Sequence, residues 1–295
     1  MDEERDVEEI VTEFLLNTCR LRLQFTQVSI EAAMCCAILA SGPPPNDAEA
    51  HWIPMTTGSV AEFYIEPMLP HIGDIDVMYH LSTQLAIPRG QSPPTQLPAE
   101  FGNYVKVYEF IDSHLPGYVY LELRYLLTEC SDNNKYNAVE YDRGQYLLRT
   151  RHNFDPRRAR YHGPALTPLQ TGTLLSVDEV ACVRCLLWPP QAADWPTRHR
   201  NYDWPDSATV DRVVNNGCDV VQAVHRQCRQ HEWMGRYQHR LSFSRAEIVL
   251  INSWIPVQQI VYHMLRVFVK AERLTDSADN SGAGKLSNVT ITLKL

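Results

Sequence analysis

Basic residues are in short supply: 27 Lys and Arg stand against 35 Asp and Glu, a formal charge of −8 with a pI near 5.8. A chain with that balance throws no positive field over its whole surface, so a contact with nucleic acid has to rest on a local patch. Long apolar runs are lacking too. The longest, Ala32 to Ala40, is too short to span a bilayer. The opening Met1-Asp2-Glu3-Glu4-Arg5-Asp6 is acidic and has neither the basic start nor the apolar core of a secretory signal. The expectation is a soluble, cytoplasmic protein with no membrane contact. Eight cysteines are present, but not in a pattern that holds zinc. Cys182-Val183-Arg184-Cys185 has the spacing of a zinc knuckle with no second pair to complete it, and Cys218, His225 and Cys228 fall on one face of an expected helix. Reduced thiols, most of them in the core, are expected, and no zinc.

What is present is a turn and a strand that answer each other. In Ile72-Gly73-Asp74-Ile75-Asp76-Val77-Met78, strand alternation puts Ile75 and Val77 on one side and Asp74 and Asp76 on the other. Two carboxylates side by side repel, and one of them is driven toward its protonated form unless a cation intervenes. Magnesium prefers hard oxygen ligands and leaves room for phosphate oxygens. Upstream, Thr57-Gly58-Ser59-Val60 offers a glycine that lets backbone approach a phosphate, and a hydroxyl that can donate to it. Each half also has a plainer reading, a surface turn and a solvated strand face. A third acid strengthens the functional one. Leu174 to Val183 is apolar enough for an internal strand yet carries Asp178 and Glu179 in its middle, and a buried carboxylate needs a partner or a metal. The alternative places this strand at a sheet edge with its acids in water.

Residues 3–40 are expected to be helical, with Val7, Ile10, Val11, Phe14, Leu21, Phe25 and Val28 at helical spacing. Ser41-Gly42-Pro43-Pro44-Pro45 ends that helix. Strands are expected over 104–110 and 118–123, so that 41–187 forms a strand-rich core on one sheet. Ser207 is expected to cap a helix that continues past Gly217 to Cys228. Ser244 and Glu247 read as a capping box, and a further helix is expected over 257–273. Residues 275–284 are polar and Gly/Ser-rich, and flexibility is expected there. The most basic stretch holds Arg143, Arg149, Arg151, Arg157, Arg158 and Arg160. It reads either as a nucleic-acid or phosphate patch or as a solvated loop.

Gly58-Ser59, Asp74-Ile75-Asp76, Ser176-Val177-Asp178, Trp188-Pro189 and above all Arg240-Leu241-Ser242-Phe243-Ser244-Arg245-Ala246-Glu247, taken in order, resemble the Mab-twenty-one (male abnormal) family. That family includes cyclic GMP-AMP synthase and the cGAS-like receptors of animals. The resemblance implies an α+β, two-lobed nucleotidyltransferase fold. A long N-terminal spine helix and a mixed-sheet core lobe span 1–190, and a helical C-terminal lobe spans 191–295. It implies that Asp74, Asp76 and Asp178 bind Mg2+ (or Mn2+) and are catalytic. Gly58 and Ser59 would hold the donor triphosphate, while Ser242, Ser244, Glu247 and Arg266 line the nucleotide cleft. The substrates implied are ATP and GTP, joined into a cyclic dinucleotide when an activating ligand such as double-stranded RNA binds. Two departures stand out. Val289 occupies the place of a base-stacking tyrosine, and the resemblance stops there, so the C-terminal lobe is expected to be truncated. There is no cysteine after Ile248 and hence no counterpart of the vertebrate zinc ribbon. The family also contains inactive interaction and developmental proteins, which sets the alternative reading, together with that of a truncated inactive isoform.

Overall fold

The computed structural model describes residues 27–42, 44, 50–62, 74–102, 104–127, 139–149, 159–162, 164–168, 175–200, 204–228 and 232–271. In chain order the elements are α1 (Gln27–Ser41), β1 (Trp52–Thr57), α2 (Gly58–Ala61), β2 (Ile75–Leu81), β3 (Gln84–Ile87), β4 (Val105–Asp112), β5 (Tyr118–Leu127), β6 (Val139–Asp142) and β7 (Gln145–Leu148). There follow β8 (Ala159–His162), β9 (Ala165–Pro168), β10 (Val177–Cys185), α3 (Ser207–Asn215), β11 (Cys218–Val221), α4 (Glu232–Tyr237), β12 (His239–Ser242), α5 (Ser244–Asn252) and α6 (Pro256–Ala271). The result is α+β: a mixed sheet with helices packed against it.

Strand β10 links two parts of the sheet. Its first half runs parallel to β2, pairing Val177 to Ala181 with Ile75 to Tyr79, and takes β9 on the other side at Glu179. Its acids therefore lie in an internal strand, not at an edge. Its second half pairs antiparallel with β11 and parallel with β3. Strands β3, β4, β5, β12 and β11 then follow one another back to β10, so six strands close a ring. Closure removes the free edges that would otherwise template association. The largest core cluster draws on all six, with Ala86, Tyr108, Phe110, Val119, Leu121, Val183, Cys185, Cys218, Val220 and Leu241 buried together.

Outside the ring, alternation works as expected on β2. Ile75 and Val77 are fully buried, and α1 covers them with Val28, Ala32, Cys35, Cys36 and Leu39. Gln27–Ser41 is the described part of the helix expected over 3–40; its earlier residues and the tail beyond 271 lie outside the described residues.

The expected helix from Ser207 to Cys228 is corrected at both ends. Asp206, one residue earlier, is the cap, and it accepts a hydrogen bond from Thr209 N at 2.7 Å. The helix stops at Asn215 because Gly217 takes φ +63°, where a side chain would run into the backbone of Cys185 and Leu186. The β-branched pair Val220-Val221 then completes the ring as β11. Cys218 is thus in a strand and Cys228 in a short 3-10 turn, so they do not share a helical face. The capping box at Ser244 is also absent. Phe243 occupies the cap position with no side-chain bond, and the Ser244 hydroxyl pairs with Ser242 instead. Residues 218–221 and 239–242, from the part of the chain expected to be helical, are strands of the core sheet. No helix among the described residues is long and apolar enough to cross a membrane.

Candidate active site

Strand register brings three aspartates together. Asp74 and Asp76 share the face of β2 opposite Ile75 and Val77. The parallel ladder sets Asp178 beside Asp76, and the antiparallel one sets Thr57 on its other flank. One oxygen from each carboxylate lies within 4.8 Å of the other two, all at half-buried positions. Burial, and after it the charges of Asp74 and Asp178, push the Asp76 carboxyl up to about 7. Like charges facing across a ladder are unfavourable, so the cluster calls for a counter-charge. Asp178 is held from behind by β9, where the Thr167 hydroxyl donates to its Oδ1 at 2.5 Å.

The turn above the acids fits them closely. Gly58 opens α2 at φ +61°, and a Cβ there would overlap the Asp76 carboxylate. Both the backbone conformation and the space demand glycine. Ser59 is 1% exposed and its hydroxyl has no hydrogen-bond partner. A buried, unsatisfied hydroxyl is costly, and here it sits one residue from the glycine that touches Asp76. Three convergent carboxylates form a hard-oxygen donor set of the kind that suits a divalent ion such as Mg2+ or Mn2+. The residues therefore fit such an ion.

A second wall faces this turn. At the junction of β12 and α5, the Ser242 and Ser244 hydroxyls lie 3.1 Å apart in a hydrogen bond. Ser242 pairs across the ladder with Asp219, whose fully buried carboxylate accepts from Arg245 Nε at 2.8 Å. Glu247 follows on α5, its carboxyl raised by burial and lowered in part by Arg240 and Arg266. Arg266 of α6 donates to Glu62 at 3.2 Å and lies 5.6 Å from the centre of the Tyr262 ring. Its charge also acts on Asp76. Trp195, Val213, Ala246 and Leu250 form the core that fixes α3 and α5 together.

The family model for the Mab-21 protein nucleotidyltransferase domain matches residues 97–253, more than half of the 295 residues. The chain belongs to the Mab-21 nucleotidyltransferase family. Asp178, Ser242, Ser244 and Glu247 fall inside the matched span, and Gly58, Ser59, Asp74, Asp76 and Arg266 outside it. In this Mab-21 domain the outer residues complete what the matched span begins, since Asp178 meets Asp76 only through the β2–β10 ladder.

Of the arginine stretch, this Mab-21 chain ties down the two members whose side chains are described. Arg149 pairs with Glu140 at 2.7 Å, and Arg143 sits in the β6–β7 turn with its guanidinium 4.8 Å from the centre of the Trp233 ring. Arg151, Arg157 and Arg158 lie outside the described residues, as does the side chain of Arg160 on β8. Sequence reasoning missed Thr167 and Glu62. Nothing local marks Thr167, which matters only through the β9–β10 register. Glu62 does leave a signal, as the lone acid closing the apolar turn Gly58-Ser59-Val60-Ala61.

Proposed function

We propose that this chain is a metal-dependent nucleotidyltransferase of the cGAS-like kind, joining ATP and GTP into a cyclic dinucleotide when an activating ligand, double-stranded RNA among the candidates, binds. The observation that carries the reading is the convergence of Asp74, Asp76 and Asp178 beneath a turn whose glycine cannot be replaced without striking one of them. Asp74, Asp76 and Asp178 would hold the divalent ions. When bound, these ions neutralise charge on the transferring phosphoryl group and lower the pKa of the attacking hydroxyl.

The remaining roles fall to the chain's own groups. Gly58 leaves the Asp76 carboxylate its place, and the Ser59 hydroxyl donates to a phosphate oxygen in exchange for the partner it lacks. Thr167 keeps one oxygen of Asp178 engaged and so orients the other. Ser242, Ser244 and Glu247 contact the nucleotide from the opposite wall, and Arg266 meets the phosphates as a charge-assisted donor. In this reading the chain works as two lobes, 1–190 and 191–295, meeting at the cleft, with α5 and α6 as the second wall and β11 and β12 lent to the core sheet.

The test is incubation of the purified chain with labelled ATP and GTP plus Mg2+ or Mn2+, with and without double-stranded RNA. Pyrophosphate-releasing product that disappears in Asp76→Asn and Asp178→Asn supports the reading. Nucleotide binding with no product under any condition would favour the interaction-protein reading instead.

A further inference from the structure

Glu62 closes the turn that carries Gly58 and Ser59, and its own N–H bonds back to Gly58 O at 2.9 Å. Its backbone is therefore fixed relative to the residues beneath which the aspartates gather. Glu62 is also buried, and it forms an ion pair with Arg266, donated across from α6 at 3.2 Å. An unpaired acid at that depth would be costly, and the partner removes part of that cost. Arg266 is a long side chain in a field of several acids, since its charge acts on Glu62, Asp76 and Glu247 alike. Left alone, such a guanidinium samples many positions. The Glu62 bond and the Tyr262 ring together select one of them. A second tie runs in parallel, from Asn252 Nδ2 of α5 to the Ala61 carbonyl at 3.3 Å. Both helices of the second wall are thereby anchored to the same turn, α5 at Ala61 and α6 at Glu62.

We propose that Glu62 is a positioning residue: it presets the Arg266 guanidinium in the cleft, so that an incoming triphosphate meets a donor already in place and a wall already docked. The inference rests on the reading of this cleft as a nucleotide site. Presetting a donor lowers the ordering cost of binding, so the expected signature is affinity that depends on Glu62 only by way of Arg266. The opposite arrangement, in which Glu62 competes with phosphate for Arg266, predicts the reverse sign.

Isothermal titration of the full chain with α,β-methylene-ATP and Mg2+ decides between them, using wild type, Glu62→Gln, Arg266→Gln and the double variant. The expected result is a loss of affinity on the order of tenfold in each single variant, and no further loss in the double variant relative to Arg266→Gln. Glu62→Asp, which keeps the charge on a shorter arm, should recover part of the affinity, and it replaces Glu62→Gln in the cycle if that variant does not fold. Unchanged or tighter binding by Glu62→Gln overturns the proposal. So does a loss that persists undiminished when Arg266 is already gone, because Glu62 would then act on the turn alone. A wild-type chain that binds no nucleotide overturns the reading of the cleft itself, and the proposal with it.

Discussion

At residue scale, Gly58 is the most constrained position in the site. Its φ of +61° disfavours any side chain, and the Asp76 carboxylate occupies the space a methyl would need. Gly58→Ala should cost about 1–3 kcal/mol in chemical denaturation, and it should abolish product formation because the acid it displaces belongs to the proposed metal set. Retained activity in that variant would show that Asp76 can move without consequence. Asp76 and Glu62 are both raised to about 7, chiefly by burial, whereas unfolded carboxylates titrate near about 4. Between those limits the folded chain holds protons that the unfolded chain has lost, so stability falls as pH rises through the window. The metal-free protein should melt lower at about pH 8 than at about pH 5, and Mg2+ should raise the Tm more at the higher pH, where the carboxylates it needs are ionised. Calorimetry at the two pH values checks this. A Mg2+ effect that is absent at the higher pH would contradict it.

At the scale of elements, the site is a product of register. Alternation in Asp74-Ile75-Asp76-Val77 was readable in the sequence because a period of two assigns faces without knowing any neighbour. The same holds for Asp178, whose charge inside an apolar run is anomalous wherever the run is placed. The pairing of Asp178 with Asp76 was not readable, since it depends on how two distant strands align. Thr167 was invisible for the same reason. The helix expected past Gly217 failed because helical spacing in Val213, Val214 and Val224 outweighed a glycine that the ring requires at positive φ. The second wall was partly legible: Ser242 and Ser244, singled out in the sequence, share a hydrogen bond at the start of α5, while the Glu62 partner of Arg266 came from far away in the chain. Thr167→Val should leave the fold intact and weaken Mn2+ binding by about 10–100-fold, the range for losing a group that orients a metal ligand. Titration calorimetry reads it directly, and unchanged affinity would show that the bond to Asp178 is idle.

For the whole molecule, the closed ring is what allows charged residues to sit so deep. Arg184 donates to the carbonyls of Cys185, Cys218 and Asn216, and its cross-strand neighbour Asp219 holds Arg245 at the start of α5. The row Arg184, Asp219, Ser242 runs across β10, β11 and β12, so the ring's interior is wired to the second wall of the cleft. Asp219→Ala leaves the half-buried Arg245 guanidinium without its carboxylate and should cost about 3–5 kcal/mol in equilibrium denaturation. A loss well under that range would mean that α5 is held by the Trp195, Val213 and Leu250 core alone. The account as a whole turns on whether the three aspartates act together on a divalent ion. Mn2+ titration followed by electron paramagnetic resonance, on wild type and on Asp74→Asn, Asp76→Asn and Asp178→Asn, puts that to the test. Bound Mn2+ in the wild type, sharply weakened in all three variants, is the predicted result. Equal binding in wild type and variants, or none in the wild type, would contradict it.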